Sequence, residues 1–498
     1  MDHIDLLERA LPNTDGDYRI EARASNSAAA RKLYKAREPI YPKLVHGTFR
    51  KTKWIVMALT LAIYYLTPWI RWERGPGAPN QAVLVDLAHE RFYFFFIEIW
   101  PQEIYYITGL LILSAVALFL VTALFGRLWC GYSCPQTVWT DLFIWVENLI
   151  EGDRSARIRL AAQNWTAEKV CKRVSKHAIW SVIAAITGGA WVFYFADAPT
   201  LSDELVHADA PTVAILAIAT LTFTTYTLGG LMREQVCTYM CPWPRIQAAM
   251  TDQETLAVTY RRDRGEPRTP HKKGEPWTAK SHCIDCHQCV AACPMGIDIR
   301  DGLQLECINC ALCIDACDDI MDRIGLPRGL IAYDTEANIE HRLKGEPSHI
   351  RLVRPRTVLY SIILLVVGMV MLYTLWTRFS IGLDVIKDRN PEFVRHADGA
   401  VLNGYSVKLL NHADRTRTLL LSVEGADFAS IKVVGVKSTA QPIAIPVEPD
   451  RVRALRVLLI EAKSNLKSSG AQKIEFHVSD PGTHESVEAD SVFIGGEH

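Results

Sequence analysis

Apolar residues along this chain collect into blocks rather than spreading evenly. Trp54 to Ile70, Ile104 to Gly126, Ala178 to Ala196, Pro211 to Met232 and Thr357 to Thr377 are each dominated by aliphatic and aromatic side chains. A helix needs about 20 such residues to cross a bilayer, so the pattern predicts five membrane spans at 54–70, 104–126, 178–196, 211–232 and 357–377. Lys and Arg set their direction. There are 11 before the first span, 3 between the first and second, 8 between the second and third, 0 between the third and fourth, and 17 between the fourth and fifth. Basic connections stay in the cytoplasm, which places residues 1–53 and 233–356 inside and the chain after the fifth span outside. Residues 1–53 read as a flexible cytoplasmic tail. Met1 to Arg37 is polar and mixed in charge, unlike a signal peptide. Arg91 to Trp100 is aromatic and too short to cross, and is expected at the outer interface beside His89, Glu90 and Glu98, which read as anchors. The threonines at 220, 222, 224, 225 and 227 are expected to hydrogen-bond to neighbouring helices.

After the fifth span the period changes. Tyr405 to Leu410, Thr418 to Val423, Ile431 to Val436, Ile443 to Val447, Ala454 to Ala462, Lys473 to Val478 and Asp490 to Ile494 are short β-type runs. Turn residues such as Asn403-Gly404 and Asp480-Pro481-Gly482 punctuate them, which predicts an immunoglobulin-like β-sandwich over 378–498. A net charge of −1 argues against a nucleic-acid partner. All thirteen cysteines fall between Cys130 and Cys317, a grouping that suggests metal-binding thiols facing the cytoplasm rather than disulfides.

Eight of them follow one rule. Cys283, Cys286, Cys289 and Cys293, then Cys307, Cys310, Cys313 and Cys317, repeat C-x2-C-x2-C-x3-C, the spacing of bacterial ferredoxins with two [4Fe–4S] clusters. In such proteins the fourth Cys of each run serves the other cluster. The expected ligand sets are therefore Cys283, Cys286, Cys289 and Cys317 for one, and Cys307, Cys310, Cys313 and Cys293 for the other. Pro294 follows the first run, whereas Asp318 follows the second. Structural zinc is the competing reading, but it pairs two C-x2-C knuckles and fits this spacing poorly. His282 and His287 flank the ligands and read as hydrogen-bonding groups rather than ligands.

Four more cysteines form a second set. Cys130 and Cys134, and Cys237 and Cys241, each make a C-x3-C-P motif where the second and fourth spans end. A helix running through each motif would put both sulfurs on one side before the proline ends it. Two pairs at one depth could form a four-sulfur site for a soft ion such as Cu(I), with Met240 as an added thioether. Cysteines packed between helices are the plainer reading. Cys171 stands alone and reads as an ordinary side chain.

The stretches G-R-L-W-C-G-Y-S-C-P-Q-T-V-W-T-D and R-E-Q-V-C-T-Y-M-C-P-W-P-R-I-Q, with E-I-W-P-Q-E at Glu98 to Glu103, resemble the cytochrome c oxidase accessory family known as CcoG, FixG or RdxA. The likeness runs from about Tyr41 to the end of the chain. It implies a multidomain membrane protein: an α-helical bundle of five spans, an inserted two-cluster ferredoxin-type domain over 233–356, and a C-terminal all-β immunoglobulin-like sandwich in the periplasm. It further implies a cupric reductase of the bacterial inner membrane, which turns Cu(II) into Cu(I) for the copper centre of cbb3-type oxidase. Cys130, Cys134, Cys237 and Cys241 would be its copper-handling or redox thiols, with a copper chaperone or exporter and the oxidase subunits as partners. Two rivals stay open on the residues alone: a quinol-oxidising membrane ferredoxin of a respiratory chain, and an assembly scaffold that turns nothing over. The electron donor is not legible.

Overall fold

The computed structural model describes residues 10–12, 18–20, 39–74, 78–270, 281–377, 380–397, 399–413, 415–425, 428, 430–436, 441–449, 451–462 and 471–495. Most of the expected tail lies outside them. The chain divides into two compact units, Met1–Met371 and Leu372–His498.

In the first unit the helices include Thr48–Leu66 (α1), Tyr105–Phe125 (α2), Leu128–Tyr132 (α3), Pro135–Glu151 (α4), Ala167–Val192 (α5), Thr212–Thr225 (α6) and Trp243–Met250 (α7). Wide π turns carry α6 on to Met232. Among the described residues, three helices are long and apolar enough to cross a membrane: Tyr105–Phe125, Thr212–Met232 and Pro355–Trp376. The other two expected spans, 54–70 and 178–196, do not meet that measure. The segments expected as the first and third spans are helical, but both helices begin earlier, in charged sequence. Arg50, Lys51 and Lys53 lie at the start of α1, and Lys169, Lys172, Arg173 and Lys176 at the start of α5.

Those charges have buried partners. Arg50 and Lys53 meet Asp141 of α4 at 2.9 and 3.6 Å. Glu147, one helical face further on, takes Arg233 at 2.6 Å, Arg157 at 2.9 Å and Lys176 at 3.4 Å. Burial works against the Glu147 charge, but Arg233, Lys176 and Arg157 outweigh it and bring its pKa from 4.5 down to about 2. A carboxyl held low stabilises the fold above its unfolded pKa. That contribution is therefore full above about pH 4.5 and fades as the pH falls toward 2. Glu147→Gln leaves three buried cations short of their counter-charge. Its expected cost is about 3–5 kcal/mol, read as a lowered unfolding midpoint of the detergent-solubilised protein at neutral pH.

Helices α5 and α6 approach closely at Gly188. A Cβ there would sit 2.9 Å from the Ile218 carbonyl and 3.1 Å from the Thr222 hydroxyl. Thr222 and Thr224 do not bridge helices as expected. Each hydroxyl donates to its own helix, to Ile218 O at 2.7 Å and Leu221 O at 3.0 Å. A threonine inside a helix finds a carbonyl one turn back before it finds a neighbour.

The expected interfacial stretch folds as strands. Val83–Asp86 (β1), Arg91–Phe94 (β2) and Ile97–Ile99 (β3) form an antiparallel sheet. Arg91 bonds Glu98 at 3.0 Å and lies over the Trp100 ring at 3.8 Å, while His89 bonds Asp86 at 2.7 Å. Ala257–Tyr260 (β4) and Ile331–Asp334 (β5) then pair antiparallel and close the base of the cysteine-rich segment.

The second unit is a sandwich. Ile381–Lys387 (β6), Val401–Asn411 (β7), Arg417–Glu424 (β8), Ser430–Val433 (β9), Ile443–Val447 (β10), Arg451–Glu461 (β11), Ala471–Ser479 (β12) and Ser486–Ile494 (β13) form two antiparallel sheets. Their orders are β9-β11-β7-β6 and β10-β8-β12-β13, with the two-residue strand Val394–Arg395 added beside β7. Alternate residues of facing strands, among them Tyr405, Val407, Leu421, Ile445, Val457 and Phe476, fill the space between the sheets. Asn403 ties the layers by exchanging hydrogen bonds with Ile494, donating to its carbonyl at 2.9 Å and accepting from its N–H at 3.1 Å. Strand β6 was not foreseen; Ile-Gly-Leu-Asp-Val-Ile-Lys carries a glycine where alternation is usually read.

Candidate metal and redox centre

Two loops of matching shape carry the eight repeated cysteines. Asp285 and His287 on either side of Cys286 have φ of 52° and 54°, and Asn309 and Ala311 on either side of Cys310 have 54° and 60°. Left-handed backbone at four non-glycine positions is uncommon. Here it turns each loop tightly enough for three sulfurs to face one space. The short helices Gln288–Ala292 (α8) and Leu312–Arg323 (α9) then carry the chain to the fourth cysteine of each run.

That path brings each fourth cysteine within electrostatic reach of the other run. The thiols acting on Cys317 are those of Cys286 and Cys283, in the other run. Those acting on Cys293 are Cys310 and Cys307. Cys289, Cys293, Cys307, Cys310 and Cys313 line a small cavity whose remaining walls are mostly aliphatic, among them Val258, Ile297 and Ile299. Burial, reinforced by neighbouring sulfurs, pushes Cys293 up to about 12 and Cys317 up to about 12. Burial likewise raises Cys307 to about 11, against an N–H bond from Asn309. Backbone N–H groups of Ile297 and Met295 point at the Cys293 sulfur, and that of Ile331 at Cys317. Sulfur donors packed out of water and met by N–H groups fit an iron–sulfur cluster, whose irons supply positive charge. Among the described residues no three His, Cys, Asp or Glu side chains are drawn together tightly enough for a single ion, the C-x3-C-P thiols included. All thirteen cysteines are free. Cys171 is exposed, as its isolation suggested.

The flanking histidines take arginines. Arg264 donates to His282 Nδ1 at 2.9 Å, and Arg300 to His287 Nδ1 at 3.0 Å.

The C-x3-C-P motifs differ from expectation in one respect. No helix runs through them. Gly126, at φ 60°, ends α2; Cys130 sits in the separate turn α3, and Cys134 is the N-cap of α4 with Pro135 at its first position. Cys237 lies in a π turn, Val236–Met240, and Cys241 ends it ahead of α7. Each proline thus belongs to the start of a helix, where its missing N–H costs nothing. The thiols nonetheless lie near enough to influence one another's charge, without converging as a single-ion site. Cys134 and Cys241 both act on Cys130, and Cys134, Cys130 and Cys241 all act on Cys237. Burial first and these neighbours second push Cys130 up to about 11 and Cys237 up to about 12. Met240 is 55% exposed and does not join them.

The two centres share a wall. Cys130 and Cys237 pack into the same apolar cluster as Cys293, Cys307 and Cys310, around Val45, Met295, Ile308 and Leu312. Gly131 makes the approach possible. A Cβ on it would lie 2.6 Å from the Ile308 carbonyl and 3.0 Å from the Cys310 nitrogen. Gly131→Ala is expected to force this loop outward at a cost of about 1–3 kcal/mol. The check is a faster loss of the visible cluster absorbance on heating, set against the parent protein. Tyr333 donates to Asn309 O at 2.6 Å, and Tyr132 to Cys310 O at 3.4 Å. At the far end Asp315 of α9 accepts from the N–H groups of Phe49 and Arg50, at 3.2 and 2.7 Å, and so caps α1.

Sequence reading missed Gln247. Fully buried on α7, it accepts from the Cys130 thiol at 3.2 Å and donates to Thr122 at 3.3 Å. The helix after the second motif thereby holds a thiol of the first. Only the repeated C-P-x-x-x-x-x pattern next to it could have drawn attention to that position.

A helical unit with three potential spans, a two-run cysteine segment docked on it and a β-sandwich define a membrane-associated 4Fe–4S redox protein. Residues 232–336 match the "4Fe-4S dicluster domain" family, 107–154 a "4Fe-4S binding domain", and 371–496 the "IG-like fold at C-terminal of FixG". The nitrogen fixation protein FixG of Rhizobium meliloti is 51% identical over 94% of this chain and 95% of its own length. Proteins RdxB and RdxA of Cereibacter sphaeroides are each 48% identical, over 93% and 88% of this chain and 97% and 92% of theirs. The chain belongs to the FixG/RdxA family. A crystal structure of a FixG-related protein from Vibrio parahaemolyticus aligns at 26% identity over 23% of this chain and 96% of that one, with a TM-score of 0.19.

Proposed function

We propose that the chain is a cupric reductase that supplies Cu(I) for the copper centre of cbb3-type cytochrome c oxidase. The observation that carries this reading is the shared wall, which packs Cys130 and Cys237 against Cys293, Cys307 and Cys310. Copper is the substrate: each Cu(II) gains one electron and leaves as Cu(I). The [4Fe–4S] clusters, when bound, supply that electron, held by Cys283, Cys286, Cys289 and Cys317 in one case and by Cys293, Cys307, Cys310 and Cys313 in the other.

The protein side of the step is ligand choice. Thiolates favour Cu(I) over Cu(II). A site made by Cys130, Cys134, Cys237 and Cys241 therefore binds the product more tightly than the substrate, which favours reduction. Gln247 holds Cys130 at its hydrogen bond, and the two prolines start helices that fix Cys134 and Cys241 at their ends. The four thiols are half-buried, and copper must displace their protons to be held by thiolates.

In the same reading the bundle has five spans, as the alternation of basic and Lys/Arg-poor connections suggests. The cysteine-rich segment then faces the cytoplasm of a bacterial inner membrane and the sandwich faces the periplasm. There it would dock oxidase subunits or copper carriers, while a chaperone or exporter collects Cu(I). The test is substrate choice. Reduced, purified protein is offered Cu(II) with a Cu(I) chelator, or a soluble quinone, in separate vessels. Cluster reoxidation by copper supports the proposal. Reoxidation by quinone alone replaces it with a respiratory ferredoxin, and reoxidation by neither leaves an assembly scaffold.

A further inference from the structure

Arg127 stands at the junction of three segments. It precedes the first C-x3-C-P motif and is buried, with 7% of its surface exposed. One end of its guanidinium donates to the Leu305 carbonyl and reaches Cys307 O at 3.5 Å; the other donates to Pro244 O at 2.6 Å, just after the second motif. Its side chain thus bonds both the loop that precedes Cys307 and the turn that follows Cys241. The groups its charge acts on are the thiols of Cys130, Cys307 and Cys237 and the carboxylate of Glu306.

We propose that Arg127 is a positioning residue that locks the Cys307 loop to both thiol motifs and sets a fixed positive charge beside the cluster held by Cys293, Cys307, Cys310 and Cys313. The inference rests on that ligand set and not on copper as the substrate. Reduction adds one negative charge to a cluster. A cation fixed nearby, in a poorly polarisable interior, favours the reduced form and raises its potential. The second cluster has its own cation in Arg300, but there Asp298 and Asp285 close on the guanidinium, at 2.6 and 2.5 Å, and largely offset it. At Arg127 the bonds run to neutral carbonyls, so less of its charge is cancelled.

The experiment is an anaerobic redox titration of the full-length, cluster-loaded protein, followed by electron paramagnetic resonance without copper. Signals are assigned with Cys317→Ala, which lacks the other cluster. Arg127→Gln is expected to move the midpoint of the Cys307 cluster to more negative potential and to leave its neighbour in place. Arg127→Lys, which keeps the charge and loses the fork, is expected to restore most of that potential. Equal shifts in both clusters, or none in either, overturn the proposal. Should Arg127→Gln fail to hold the cluster, Glu306→Gln carries the test. Removing the opposing carboxylate is expected to shift the same cluster positive, and an unmoved or more negative midpoint rejects the charge role. A positive result here stands even if copper proves not to be the substrate.

Discussion

Cys317→Ala is expected to remove the same iron–sulfur cluster as Cys283→Ala, and Cys293→Ala the same cluster as Cys310→Ala. Each variant should lose about four of roughly eight irons and one of two paramagnetic signals. The reason lies in the chain path. Cys317 follows a helical turn that returns it to Cys283 and Cys286, and Cys293 ends α8 beside Cys307 and Cys310. If each run instead served its own cluster, Cys293→Ala would pair with Cys283→Ala. Iron analysis with paramagnetic resonance on the four variants separates the cases. Serine at the same four positions, which keeps an oxygen donor, guards against loss of the whole domain.

The second large effect concerns the other thiols. Cys130→Ser and Cys237→Ser are each expected to leave both clusters loaded and to lower Cu(I) formation by roughly 100-fold, at the upper end of losses seen when metal ligation is disturbed. Cys134 and Cys241 act on both of these thiols, so removing either Cys130 or Cys237 takes a sulfur from the proposed set. The check is the rate of Cu(I)–chelator formation at matched iron content. Unchanged rates in both variants would move the copper site elsewhere. A fall in iron content would instead assign these thiols to cluster binding.

Local chemistry was legible in the sequence, and docking was not. The eight candidate ligands stand out by spacing alone, because a loop that would wrap a cluster is built from consecutive residues. The sandwich followed from alternation, because each strand shows its buried face at every second position. The cross-over expected of Cys293 and Cys317 rests on that same spacing, and the iron analysis of the four variants tests it. The helix break at each C-x3-C-P motif was not. Gly126 and Pro135 signalled it, but a cysteine at i and i+4 suggested continuity. Two of five expected spans became helices with buried charges at their starts, because Lys53 and Lys176 find Asp141 and Glu147 in the folded chain. Such partners leave no periodicity. Gly131 against Ile308, Gln247 against Cys130 and Asp315 at the head of α1 are separated by more than a hundred residues, and only the fold brings them together.

The central claim is that electrons held by this protein reduce copper at the paired thiols. A single-turnover experiment tests it most directly. The protein is reduced, freed of reductant and mixed anaerobically with Cu(II) and a Cu(I)-specific chelator in a stopped-flow cell, with cluster and chelate absorbance recorded together. The account predicts that clusters reoxidise as Cu(I) appears, one electron for each ion, and that Cys130→Ser uncouples the two. Clusters that stay reduced while Cu(I) fails to form, or Cu(I) that forms at the same rate in the Cys130→Ser protein, would contradict it.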